Sequence, residues 1–227
     1  MGRLFIVEGI DGSGKTTQVA RTAQRLHELG VSVRTVKLPN YDYSACEPVK
    51  LYLAGEFGSS PEDVNAYAAS SFYAIDRYAS YQKFWKEDYL SGTVILSDRY
   101  VSSNIIHQCG KLPVSERSEF LTWLDDFEYN KMGIPRPDAV FYLDMPPVYS
   151  LQQLSTRYEG DVTKKDIHEK DIQYLEHCYQ MGQYACSKLG FVKIPCVTND
   201  GTTVRSVDEI NAMIFSEIIK RIFDREG

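Results

Sequence analysis

The stretch Gly9-Ile10-Asp11-Gly12-Ser13-Gly14-Lys15-Thr16 fits GxxxxGK[ST], with an apolar run before it and a helical pattern after it. Its glycines let the main chain aim successive N–H groups at phosphate oxygens, and the following helix adds the positive end of its dipole. Lys15 has the reach for the β- and γ-phosphates of a nucleoside triphosphate, and the Thr16 hydroxyl suits Mg²⁺. Gly9, Gly12, Ser13, Gly14, Lys15, Thr16 and Thr17 are therefore the expected contacts to a triphosphate such as ATP. A second cluster, Asp98-Arg99-Tyr100, closes the apolar run VILS. Arg99 offers a planar fork for a phosphate, and Asp98 is expected to hold Mg²⁺, partly through water. Asp-Arg after a strand also occurs as a plain structural ion pair.

These residues need a scaffold, and the periodicity supplies one. Arg3–Glu8 reads as a strand, and Val19, Thr22, Ala23, Leu26 and Leu29 fall at helical spacing after Lys15. Further strands are expected at Ser32–Lys37, Val94–Ser97, Ala139–Leu143 and Phe191–Ile194, separated by helical stretches. Strands alternating with helices predict an α/β fold, a five-stranded parallel sheet with helices on both faces, and the glycine loop makes it a P-loop fold. In such a sheet ligands gather at the carboxyl ends of the strands, which sets Asp98 and Arg99 beside the glycine loop. A long helix is expected between Pro61 and Leu90, carrying Tyr73 and Arg77 four residues apart on one face. The polar segment Tyr158–Ile167, which contains Gly160, is read as a lid at about 157–167.

At 227 residues, 43% of them hydrophobic, the chain is read as one domain spanning 1–227. The net charge of −6 argues against a nucleic-acid polymer as partner, because such proteins carry a basic face. No run approaches the apolar length needed to cross a bilayer and no signal peptide is evident, so a cytoplasmic location with no membrane association is expected. The odd number of cysteines (Cys46, Cys109, Cys178, Cys186 and Cys196) lacks a CxxC pair, and no histidines pair at metal-ligand spacing. Reduced, mostly buried thiols are expected.

EGIDGSGKTTQ (8–18), KLP (37–39), YAIDR (73–77), DRYVSSN (98–104) and KKDIHEKD (164–171) occur in that order. Together they make the chain resemble the thymidylate kinase family of nucleoside-monophosphate kinases over most of its length. The resemblance implies a P-loop kinase fold with a lid segment, ATP and dTMP as substrates, Mg²⁺ as cofactor and a homodimer. It implies that Tyr73 stacks on thymine, that Arg77 bonds a base carbonyl, and that Ser103, Asn104 and Gln108 meet the pyrimidine edge. Lys37, before Pro39, stands where many relatives have an arginine on the monophosphate, and Arg99 serves the same phosphates.

Asp11 resembles the family's acidic residue between the sugar hydroxyl and the reacting phosphates. Gly12 stands where one branch of the family carries a catalytic arginine; the other branch supplies that charge from the lid, here from Arg157 with Lys164 and Lys165 as secondary candidates. The catalytic set so implied is Lys15, Asp11, Arg99 and Arg157. Two positions depart from the common pattern: Gln153, where relatives often have an arginine over adenine, and His107, where some have a tyrosine near the sugar 2′ position.

Two other readings share parts of this pattern. A deoxynucleoside kinase also has the loop and an Asp-Arg strand end, but needs a carboxylate base beside a 5′-hydroxyl. A nucleotide-binding regulator keeps the loop without transferring phosphate.

Overall fold

The computed structural model describes residues 1–157 and 172–223. Strands β1 (Leu4–Glu8), β2 (Val33–Lys37), β3 (Val94–Asp98), β4 (Ala139–Asp144) and β5 (Val192–Pro195) form one sheet in the order β2-β3-β1-β4-β5, all parallel. All five expected strands are present, each displaced by no more than a residue or so at its ends. β1 and β3 are buried at every position, as central parallel strands covered on both faces must be. The edge strand β2 is largely exposed and reads Val-Arg-Thr-Val-Lys, whose polar residues suit an edge.

Alternation along the strands divides the core. Leu4, Ile6, Ile95 and Val140 face one layer, with Tyr81, Trp85, Tyr100, Phe120 and Leu124. Phe5, Val7, Leu96, Phe141 and Leu143 face the other. There they meet Val19, Ala23 and Leu26 of α1 (Lys15–Glu28) and Ile210, Ile214 and Ile218 of α9 (Val207–Phe223). Of the spaced positions predicted for α1, only Leu29 departs: it caps the helix and stays exposed.

The remaining helices are α2 (Glu47–Ala54), α3 (Ala66–Ser80), α4 (Lys86–Leu90), α5 (Val101–His107), α6 (Arg117–Asp125), α7 (Pro147–Arg157) and α8 (Ile172–Lys188). The helix expected between Pro61 and Leu90 begins later. Ser60 caps a single 3₁₀ turn at Pro61–Asp63, Val64 is extended, and Asn65 caps α3 by accepting from Ala68 N at 2.9 Å. The helical path then continues to Leu90 through a π turn at Tyr81–Trp85.

The connection after β1 runs to β2, on one side, whereas that after β3 runs to β4, on the other. The crevice between the ends of β1 and β3, where Val7 pairs with Asp98, is thus the topological switch point. Both chemical motifs leave the sheet there. The cysteines are free thiols; all but the half-buried Cys186 are buried, and burial raises the Cys46 and Cys196 thiols to about 12. Among the described residues no helix is long and apolar enough to cross a membrane.

Candidate active site

A cleft of about 630 Å³ opens at the switch point. The loop residues Asp11, Gly12, Gly14, Lys15, Thr16 and Thr17 line one end, and Lys37, Pro39, Tyr73, Arg77, Ser103 and Asn104 line the other, with Asp98 and Arg99 among them. Residues far apart in sequence therefore share one cavity.

At the loop, Gly14 takes a left-handed φ of 91° as it caps α1, and a Cβ there would meet nothing within 4 Å. The main chain is therefore open to a phosphate at the helix N-terminus. Lys15 folds back so that Nζ donates to the carbonyls of Gly9 (3.0 Å) and Ile10 (2.9 Å). Burial and the neighbouring Arg99 lower its pKa, and Asp11, Asp98 and Glu8 oppose them. Thr16 Oγ1 donates to Asp98 Oδ2 at 2.5 Å, so a hydroxyl and a carboxylate meet at the mouth of the loop. This pair of hard oxygens fits Mg²⁺, which takes few protein ligands and keeps several waters. Gly9 and Ser13 lie beneath the loop: Ser13 is 2% exposed, and its Oγ has no partner among the described residues.

Gly12 (φ 77°) backs onto α7: a Cβ there would lie 2.6 Å from Ser150 O and 2.9 Å from Leu154 Cγ. Ser150 Oγ also donates to the Asp11 carbonyl, which fastens α7 to the loop beside the close approach at Gly12. Arg157 ends α7, and Gln153 lines the cleft. The Arg157 side chain, Lys164, Lys165 and the expected lid lie outside the described residues.

Among the described residues Arg99 is the one non-glycine with a left-handed backbone (φ 71°), a conformation that costs on the order of 1–3 kcal/mol and has to be held by its surroundings. Arg99 N donates to Val7 O (3.2 Å), and its carbonyl accepts from Ser97 Oγ (2.6 Å). The side chain bonds Asp11 through Nη2, and its Nη1 lies 3.0 Å from His107 Nε2 and 3.4 Å from Ser103 Oγ. Burial would favour the neutral form, but Asp11, Glu8 and Asp98 outweigh it and raise the Arg99 pKa. Because a guanidinium only donates, His107 Nε2 must accept, which puts the ring proton on Nδ1, beside Tyr174 OH and Cys178 Sγ.

Toward the far end, Tyr73 meets the buried Tyr52 edge-on (centroids 6.4 Å apart, 89°), which fixes its ring plane. Arg77, 2% exposed, is held by Glu128 through Nε–Oε2 (2.6 Å) and Nη2–Oε1 (2.5 Å). Asn104 Nδ2 donates to the same Oε1 and to Ser70 O, both at 3.2 Å. Ser103 faces the cleft, but its proton is engaged by Glu8 Oε1 at 2.6 Å. Gln108 departs from expectation: it caps the end of α5, is fully buried and is not among the residues lining the cleft. α5 is short, and its C-terminal turn carries Gln108 under the helix and away from the cavity.

Three acidic residues escaped the sequence reading. Glu8 ends β1 and gathers Ser102 Oγ, Ser103 Oγ and Tyr100 N; burial raises its pKa against the pull of Arg99. Asp76 accepts from Asn40 N (3.0 Å) and anchors the loop after Pro39 on α3. Glu128 lies in a π turn at Asp126–Lys131. Asp76 sits inside the YAIDR motif and Glu8 ends the apolar run of β1, whereas nothing next to Glu128 in the sequence signals a buried carboxylate.

A parallel sheet with a glycine loop at its switch point, a lysine and threonine on that loop, and an Asp-Arg pair on the next strand define a P-loop phosphotransferase. The thymidylate kinase family model matches residues 7–191. The chain is similar to thymidylate kinase of Mycobacterium tuberculosis, at 27% identity over 75% of this chain and 79% of the relative. Thymidylate kinase of Plasmodium falciparum is 26% identical over 83% and 84%, and a probable thymidylate kinase of Pyrococcus horikoshii 30% identical over 78% and 81%. The chain belongs to the thymidylate kinase family, and so is a nucleoside-monophosphate kinase, a transferase.

Proposed function

We propose that this chain carries the γ-phosphoryl group of ATP directly to the 5′-phosphate of dTMP, giving dTDP for dTTP synthesis. The observation that carries the reading is the single cleft joining Lys15 and Thr16 to Tyr73, Arg77 and Asn104, with Arg99 between them. A triphosphate on the loop and a nucleotide monophosphate with its base near Tyr73 then bring their phosphates together at Arg99.

The loop N–H groups from Gly9 to Thr17 and Lys15 bind the ATP phosphates, with Lys15 exchanging its loop carbonyls for phosphate oxygens. Lys37 and Arg99 hold the acceptor phosphate, and Pro39 shapes the wall beside it. Asp11 orients Arg99 and meets the sugar 3′-hydroxyl. A phosphate oxygen is already ionised at neutral pH, so in-line attack needs positioning and positive charge rather than a strong base. Thr16 and Asp98 are the residues to hold Mg²⁺, which when bound neutralises charge on the β- and γ-phosphates. Gly12 carries no side chain to supply a charge at position 12, so Arg157, with lid lysines Lys164 and Lys165, is assigned that charge. Gln108 acts behind the base pocket rather than on the base. The enzyme works in the cytoplasm as a single-domain subunit of a homodimer.

The test is an ADP-release assay on dTMP, dUMP, UMP and thymidine with Mg-ATP. Preference for dTMP supports the reading; preference for thymidine overturns it in favour of a nucleoside kinase. Tight binding of ATP and dTMP without dTDP formation would overturn it in favour of a regulator.

A further inference from the structure

We propose that Glu128 is the positioning residue that sets base selectivity, by fixing which hydrogen-bonding edge Arg77 and Asn104 turn toward the acceptor base. The inference rests on the dTMP kinase reading above and names a determinant outside its motifs. Glu128 is completely buried, and the side chains of Arg77 and Glu128 are 3% and 0% exposed. A buried carboxylate is retained at such a position only when paired, and this one is paired twice over. Its two oxygens take Nε and Nη2 of Arg77 in the parallel fork arrangement, which leaves the guanidinium one orientation.

The same carboxylate decides how the Asn104 amide lies. Glu128 Oε1 and Ser70 O both accept only, so the group facing them has to be Nδ2. Oδ1 has no partner among the described residues, and Asn104 lines the cleft, so the amide offers the base an acceptor. Arg77 spends three of its N–H groups on Glu128 and Tyr100 O and keeps two, so it offers only donors.

The cleft therefore presents an acceptor from Asn104 and donors from Arg77, and the Glu128 carboxylate holds both side chains. A 4-oxo pyrimidine with a proton on N3 complements that pattern. A 4-amino pyrimidine opposes it at both points: its bare N3 would face an acceptor and its amino group a guanidinium. A buried site built for one hydrogen-bond pattern rejects the reversed one strongly, because its own groups are left unpaired. The π turn at Asp126–Lys131 is the local device that turns Glu128 inward, as such insertions do at functional sites.

The experiment compares wild type, Glu128→Gln and Glu128→Asp with dTMP and dCMP as acceptors, recording kcat and KM for both nucleotides and for ATP, with melting temperatures alongside. The expected result for Glu128→Gln is a tenfold or larger fall in the dTMP-to-dCMP ratio of kcat/KM, carried by KM for dTMP, while KM for ATP stays within twofold. Glu128→Asp keeps the charge on a shorter arm and should shift the ratio in the same direction by less. If folded variants melt lower but keep the ratio and KM for dTMP within twofold of wild type, Glu128 is structural and the proposal fails. Insolubility of both variants would equally assign it to the fold and overturn the proposal. A wild type inactive on dTMP would instead sink the kinase reading, so the two failures are distinguishable.

Discussion

The Ser150 carbonyl lies 2.6 Å from where a Cβ on Gly12 would stand, so α7 occupies the space that any side chain at position 12 would need. Gly12 also has a positive φ of 77°, which L side chains rarely adopt. Gly12→Ala should therefore push α7 off the loop and disturb Asp11, whose carbonyl accepts from Ser150 Oγ. A loss of about 1–3 kcal/mol in stability is expected from strain and overpacking, with kcat falling more than tenfold. Urea unfolding and steady-state kinetics check both; an alanine variant with normal kcat would show that α7 and the loop move independently.

Asp98→Asn isolates charge from geometry at the proposed ion site. The amide oxygen can still accept from Thr16 Oγ1, so the loop keeps its anchor while the anion is lost. The Mg²⁺ concentration giving half-maximal activity should rise about tenfold or more, given the weight of carboxylates in Mg²⁺ binding. Chelation of Mg²⁺ should stop turnover in the wild type. Superimposable Mg²⁺ titrations for wild type and variant would remove Asp98 from the metal site.

Tyr73→Ala tests the stacking platform. Base stacking on an aromatic ring contributes about 1–3 kcal/mol, so dTMP binding should weaken by roughly 5- to 150-fold while ATP binding stays within twofold. Tyr73→Phe, which keeps the ring and its edge contact with Tyr52, should stay near wild type. Calorimetric titration of each ligand separates these outcomes, and equal losses for both nucleotides would assign Tyr73 to packing.

Much of this architecture was legible because its signals are local. The buried runs of β1 and β3, the glycine loop and the spacing of Tyr73 and Arg77 each lie within a few residues of one another. What escaped depends on contacts distant in sequence. Glu128 lies 51 residues from Arg77, and nothing near it announces a buried ion pair. Ser103 was expected at the pyrimidine edge from its motif, but its proton goes to Glu8, 95 residues away. Gln108 misled for a related reason: helical spacing places a residue on a face, but α5 ends at His107, and the turn that follows buries the side chain. His107 joins the site through Arg99, a link visible only once the left-handed turn at Arg99 is known.

Lys111 supplies a pH signature away from the proposed chemistry. Its Nζ donates to Tyr52 OH (3.0 Å) on α2 and to Val64 O (3.1 Å), tying the segment after α5 to the wall behind Tyr73. Burial lowers its pKa to about 8, against the opposing pull of Glu62 and Cys178. Below about pH 8 the lysine is charged both folded and unfolded, and the whole cost of burying the charge is present. As pH rises from there toward the ordinary lysine range, the folded protein releases the proton first, so the unfolded state holds more protons and stability increases. Lys111→Met removes this contribution. Between pH 7.5 and 9.5 the unfolding free energy of wild type relative to Lys111→Met should rise by on the order of 1 kcal/mol. Titrations of groups remote from Lys111 are common to both proteins and cancel in that difference. Urea unfolding of both proteins at the two pH values measures it, and a flat or falling difference would show that Lys111 keeps its proton in the folded state.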